Sequence, residues 1–234
     1  MAWRSSGATN KDLITNLFNN GLIKSSRVKD AMLAVDRAHY APRSPYEDSP
    51  QTIGHSATIS APHMHALALE SLLPYLTPTS KVLDIGSGSG YLTHVLANLL
   101  TPSNPTSHTT PSGIVIGIDH IPALTTLATT NMSKSPAGRS MLSSGLVKFV
   151  TGDGRKGYPF DGPYDCIHVG AAAAKHHGEL VEQLKSPGRL FVPVEEEEDR
   201  MQYIWVIDKK EDGSVSKTRT IGVKYVPLCD APAR

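Results

Sequence analysis

Leu83-Asp84-Ile85-Gly86-Ser87-Gly88-Ser89-Gly90-Tyr91 is the stretch whose reading decides the fold. It continues the apolar start Lys81-Val82 and leads into an apolar run ending at Leu100, so a buried strand hands over to a helix here. The glycines let the backbone turn sharply and let a ligand approach closely, and the helix beyond offers unpaired N–H groups. The pattern is G-x-G-x-G. The dinucleotide fingerprint G-x-G-x-x-G needs a glycine where this chain has Tyr91, which counts against NAD. Asp84 at the strand end would repel a pyrophosphate but suits an ammonium. S-adenosylmethionine carries an amino-acid ammonium and no phosphate, so the turn reads as its cradle, with Asp84, Gly86, Ser87, Gly88 and Ser89 as contacts.

Working outward, the strand–helix rhythm continues. Ile114 to Asp119, Val147 to Val150, Tyr164 to Val169 and Arg189 to Val194 read as further strands, with helices over 91–100, 121–131 and 178–184. Such alternation implies a parallel sheet covered on both faces. Met201 to Ile207 and Thr218 to Val226 flank an Asp212-Gly213 turn with no helix between them, which implies an antiparallel edge. Asp119 ends the second strand. A carboxylate there can accept both ribose hydroxyl hydrogens, or cap the helix after it; its distance from Gly90 exceeds the usual gap of about 20 residues because of the Pro/Ser/Thr-rich stretch 100–113. Gly152-Asp153-Gly154 follows the third strand, where Asp153 could accept a hydrogen bond from an adenine amino group.

Ahead of the sheet, Asn10-Lys11-Asp12 can cap a helix with Leu13, Ile14, Leu17 and Phe18 inward and Gly21 as its stop. Ser25 or Ser26 starts a second helix. Tyr40 to Ile59, with Pro42, Pro45, Pro50 and Gly54, reads as a long loop, of a length uncommon unless functional. Pro62 opens a third helix carrying Ala66, Leu67, Leu69 and Leu72 on its inner face. Ser60 reads equally as the N-cap of that helix. Residues 1–80 thus form a helical extension to a sheet over 81–234, the whole as one domain.

The 234 residues carry 23 Lys plus Arg against 22 Asp plus Glu, a net charge of +1, which gives no field for nucleic acid or an anionic membrane. Cys166 and Cys229 are read as reduced and unpaired. No signal peptide or membrane-spanning run is evident. His63-x-His65 is poor zinc spacing without further ligands, so no metal is expected. A monomer in the cytoplasm is the expectation.

The segments around this core resemble the protein-L-isoaspartate (D-aspartate) O-methyltransferase family, eukaryotic type. The resemblance rests on Asp36-Arg37, Asp48-Ser49-Pro50-Gln51, the run Ala57-Thr58-Ile59-Ser60-Ala61-Pro62-His63-Met64-His65-Ala66, Leu83 to Gly90, Gly117-Ile118-Asp119-His120, Gly152-Asp153-Gly154-Arg155, Ile167 to Ala173 and Tyr225-Val226-Pro227-Leu228. It implies a Rossmann-like class I methyltransferase fold, a mostly parallel seven-stranded sheet with an antiparallel edge. It also implies methyl transfer from S-adenosylmethionine to the α-carboxyl of L-isoaspartyl residues in damaged proteins and peptides, the first step of their repair. By the same resemblance Ser60 is the active-site residue. Cofactor contacts fall on Ala57, Thr58, Ile59, Ser60, His65, Ser89, Asp119, His120, Asp153, Gly154 and Cys229, where the family often has Thr. Ser60, His65 and Val226 would hold the substrate peptide. Two rivals, an NAD-linked oxidoreductase and a non-catalytic binding scaffold, are disfavoured by the glycine pattern and by the full set Ser60, Asp84, Asp119 and Asp153. A small-molecule methyltransferase is disfavoured by the acceptor-side segment Ala57-Thr58-Ile59-Ser60.

Overall fold

The structure, a computed structural model, describes residues 2–101, 112–175, 178–198 and 200–228. Helix α1, Asn10–Asn19, starts one residue earlier than its sequence signal: Thr9 is the cap, accepting from Asp12 N–H while the Asp12 carboxylate accepts from Thr9 N–H, both at 3.1 Å. Helix α2, Ser26–Leu33, has Ser25 at its cap without a side-chain bond. The Glu70 carboxylate takes over, accepting from Lys24 and Ser25 N–H at 2.9 and 2.8 Å.

The stretch expected to be a loop contains a hairpin, β1 (Gln51–Gly54) and β2 (Ala57–Ile59), paired antiparallel. Its turn residues His55 and Ser56 both lie at positive φ, 53° and 57°. That conformation is usually signalled by Asn-Gly, and His-Ser gave no such cue. Helix α3, Pro62–Leu72, then presents Ala66, Ala68, Leu69 and Leu72 to the core; Leu67 is only half-buried.

The sheet follows: β3 (Lys81–Ile85), α4 (Tyr91–Leu100), β4 (Ile114–Asp119), α5 (Pro122–Met132), α6 (Pro136–Ser143), β5 (Val147–Thr151), β6 (Tyr164–Val169), α7 (Gly178–Glu182), β7 (Leu184–Glu195), β8 (Gln202–Lys209) and β9 (Val215–Val223). Helix α6 is absent from the sequence reading although its signal was there: Ser135 caps it, accepting from Gly138 N–H at 3.0 Å, and Pro136 opens it. The strand order is β5-β4-β3-β6-β7-β8-β9. Strands β5 through β7 are parallel, and β8 and β9 add the antiparallel edge expected from the late strand pair.

Successive strands run outward from β3 through β4 to β5, while β6 pairs on its other side. The crevice beyond the carboxyl ends at such a reversal is where open α/β sheets bind ligands. Helices α1 to α4 build one apolar layer around Leu17, Met32, Leu69, Val95 and Leu96. A second apolar cluster gathers Leu83, Ile116, Ile167, Leu180 and Leu190. Arg27 ties the helical extension down, its guanidinium donating to the carbonyls of Leu76 and Leu99.

Candidate active site

The turn after β3 is stitched to the neighbouring strand: Gly86 and Ser87 N–H donate to the Ile118 carbonyl at 2.8 and 3.1 Å. Gly86, Gly88 and Gly90 all hold left-handed φ, 73°, 52° and 86°. At Gly90 space is also decisive, since a Cβ would come within 2.9 Å of Ala128 Cβ and 3.0 Å of Phe149 Cζ. The turn is therefore fixed from behind, with its open side facing the crevice.

Asp119 lies across that opening. Its Oδ2 accepts from Gly88 N–H and its Oδ1 from Ile121 N–H, both at 3.0 Å. It is not the cap of α5, which is Ile121, but it anchors the entry to that helix, and each of its oxygens keeps a lone pair. Burial pushes its carboxyl up from the usual range, and the two N–H donors oppose that. His120 Nδ1 is 4.0 Å away.

Asp84 is buried, with one partner on each oxygen. Its Oδ2 accepts from the Thr93 hydroxyl at 2.6 Å, and its Oδ1 is 2.8 Å from His168 Nδ1. It lines the inner pocket as His168 does, so the pair faces a ligand together. Sequence reasoning passed over His168, although it sits in the β6 run that carries the resemblance. Ser87 and Ser89 line the same pocket with Tyr91, His65, Thr58 and Ile59. The hydroxyls of Ser87 and Tyr91 are buried without a partner within the protein. Unpaired buried groups cost about 1–3 kcal/mol each, which suits a pocket that a polar ligand completes.

Two larger clefts open from this pocket. One, about 430 Å³, runs along His55, Ser56, Ala57, Thr58, Asp119 and His120. The other, about 530 Å³, lies between the Ser60–Met64 segment and the Ile221–Val226 segment. Ser60 borders both the inner pocket and the second cleft. It is not the cap of α3, because Ala61 occupies that position. Its hydroxyl, not used as a cap, meets the Tyr225 phenol, whose pKa burial pushes up and Ser60 pulls back. Val226 is exposed at the rim of both clefts, its carbonyl holding Ala172 N–H at 2.8 Å.

Asp153 and Gly154 are not brought to these clefts. The Asp153 carboxylate is held by Arg155, through Nε and a terminal nitrogen at 2.9 Å each and through the backbone N–H at 3.1 Å. This holds the carboxyl below its usual range. Gly154 is explained by packing: a Cβ there would lie 2.3 Å from Ile85 Cγ2. Cys229 lies outside the described residues. Gly170 and Ala171, just past β6, also line the clefts and were missed, since a lone glycine after a strand reads as a turn. Among the described residues no group of His, Cys, Asp and Glu could hold a metal ion.

A parallel sheet with this strand reversal, a glycine turn without the dinucleotide spacing and an acid ending the next strand define a class I methyltransferase fold. A crystal structure from Plasmodium falciparum, described as a protein-L-isoaspartate O-methyltransferase in complex with S-adenosyl-L-homocysteine, superimposes with a TM-score of 0.85 at 34% identity, covering 95% of this chain and 99% of that one. The chain belongs to the protein-L-isoaspartate(D-aspartate) O-methyltransferase family, whose model matches residues 8–233. It is 46% identical to the protein-L-isoaspartate O-methyltransferase of Caenorhabditis elegans, over 97% of this chain and 96% of that protein. It is 43% identical to that of Triticum aestivum, over 96% and 93%.

Proposed function

We propose that this chain methylates the free α-carboxylate of L-isoaspartyl residues in proteins and peptides, using S-adenosylmethionine. The observation that carries the reading is the position of Ser60, whose uncapped hydroxyl stands where the inner pocket meets the outer cleft. S-adenosylmethionine supplies an activated methyl group on a sulfonium. Asp119 takes the ribose hydroxyls, the His55–Thr58 turn covers the nucleoside, and Asp84 with Ser87 and Ser89 meets the amino-acid end.

A carboxylate with an ordinary pKa of about 3.9 is already ionised at neutral pH, so the acceptor needs no base. The work left to the protein is alignment, which can contribute on the order of 7–11 kcal/mol. Ser60 donates a hydrogen bond to one acceptor oxygen and leaves the other free to attack. Backbone groups along Ile221–Val226 hold the peptide extended, which lets many sequences be accepted. The β1–β2 hairpin closes over the site and keeps water out. Asp153 Oδ2 accepts one hydrogen bond from Arg155 and keeps a lone pair, so it stays the proposed acceptor for an adenine amino group. Residues 1–80 supply the acceptor side and 81–234 the cofactor sheet of one domain. The near-neutral charge gives no field for a nucleic-acid partner, no described helix is long and apolar enough to cross a membrane, and a monomer in the cytoplasm completes the proposed reading.

The test is incubation with methyl-labelled S-adenosylmethionine and a pair of peptides differing only in isoaspartate or aspartate at one position. Base-labile label on the isoaspartyl peptide alone is expected. Equal label on both, or on neither, refutes the reading.

A further inference from the structure

Arg37 is a buried cation that the reading above does not use. Its side chain is wholly inaccessible, and among the described residues no carboxylate lies within ion-pair distance of it. A buried charge without a contacting counter-ion costs several kcal/mol unless its surroundings compensate. The compensation in place is partial. One terminal nitrogen donates to the Ser60 carbonyl at 2.8 Å, the other lies 3.4 Å from His65 Nδ1, and the guanidinium sits 5.2 Å from the centre of the Tyr91 ring. Its Nε–H has no partner within the protein. Burial lowers its pKa to about 10, with Tyr91 and Asp48 opposing, so it stays charged at neutral pH.

All three groups it touches, Ser60, His65 and Tyr91, line the inner pocket. A guanidinium has only donors, so the His65 Nδ1 facing it must be the bare nitrogen. The proton of the neutral ring is then on Nε2. The groups facing His65 keep it neutral: burial first, then Arg37, His168 and His63 hold its pKa well below the usual value.

We propose that Arg37 is a positioning residue that fixes His65 as a neutral Nε2–H donor and, with its own charge, makes the inner pocket a site for the carboxylate of the cofactor's amino-acid end. The cofactor's carboxylate is favoured over the acceptor's because His65 lines the inner pocket with Ser87 and Ser89 and does not line the acceptor cleft. The proposal rests on the S-adenosylmethionine reading.

Two probes separate the possibilities: S-adenosylhomocysteine, which has the amino-acid end, and methylthioadenosine, which lacks it. Calorimetry on the wild type, Arg37→Lys and Arg37→Met should show S-adenosylhomocysteine weakened about tenfold or more in the Met variant. The Lys variant should be weakened less, because it keeps the positive charge, but not restored, because a single ammonium cannot reproduce the guanidinium fork. Methylthioadenosine binding should stay within about threefold. Heteronuclear NMR of the wild type should show His65 protonated at Nε2 and bare at Nδ1 across neutral pH. Equal loss of both ligands would make Arg37 a packing residue and overturn the proposal. So would unchanged S-adenosylhomocysteine affinity with a raised acceptor KM, or a proton on Nδ1. If Arg37→Met does not fold, Arg37→Lys and the wild-type tautomer decide. Failure of the wild type to bind S-adenosylhomocysteine at all would instead sink the functional reading itself.

Discussion

At the scale of single residues, the site divides into groups whose meaning is local and groups whose meaning is not. Asp119 stands out in the sequence because it ends a strand in a recognisable order, and in the structure it makes short contacts to Gly88 and Ile121. Ser60 was ambiguous from spacing, and the placement of Ala61 at the cap removes the capping reading. Arg37 and His168 were illegible as site residues: one acts from 23 residues before Ser60, the other pairs with Asp84 across 84 residues. Replacing Ser60 by Ala removes one hydrogen bond to an ionised acceptor, a change of about 1.5–3 kcal/mol. Turnover should therefore fall roughly 10- to 100-fold, while S-adenosylhomocysteine affinity measured by calorimetry holds steady. A parallel fall in both would assign Ser60 to cofactor binding.

At the scale of elements, the strands were read well because buried parallel strands are short apolar runs bounded by turns, and β3, β4 and β6 match their runs. The β1–β2 hairpin was not, because its turn uses His55 and Ser56 at positive φ in place of residues that advertise it. Strand β7 begins at Leu184, earlier than read, through Pro187 and Gly188, which normally signal a break. The glycine turn itself makes a quantitative prediction. Gly90→Ala adds a Cβ against Ala128 and Phe149 at a φ that disfavours it. It should cost at least about 1–3 kcal/mol, seen as a lower urea midpoint with an unchanged m-value. A midpoint within error of the wild type would mean that the turn can move, contrary to the rigid cradle described.

At the scale of the whole molecule, two buried neutral histidines couple the fold to pH. Burial lowers His94 to about 4, with His39 adding to it, and the Tyr40 hydroxyl lies 2.5 Å from its Nδ1. His65 is held well below its usual value by the same main cause. In the unfolded chain both would titrate near 6.5. Below that value the unfolded state binds protons that the native state refuses, so stability must fall as pH falls. Each histidine contributes a slope approaching about 1.4 kcal/mol per pH unit. For His94 the loss levels off below about pH 4, and above about pH 7 neither group contributes. Urea midpoints should thus drop between pH 7 and pH 5, and His94→Gln should flatten part of that slope; a flat wild-type profile would refute the assignment. The architecture around these histidines was only half visible in sequence. Alternation predicts the parallel sheet, but nothing local tells that α1 to α4 merge into one apolar layer on it.

The most direct measurement follows one isoaspartyl peptide over time, with the protein and S-adenosylmethionine at neutral pH, by chromatography and mass spectrometry. The account predicts an α-carboxyl methyl ester formed in step with S-adenosylhomocysteine, then a succinimide, then a growing fraction of the normal aspartyl peptide. S-adenosylhomocysteine released with the methyl on any other group, or a peptide left unchanged, would contradict it.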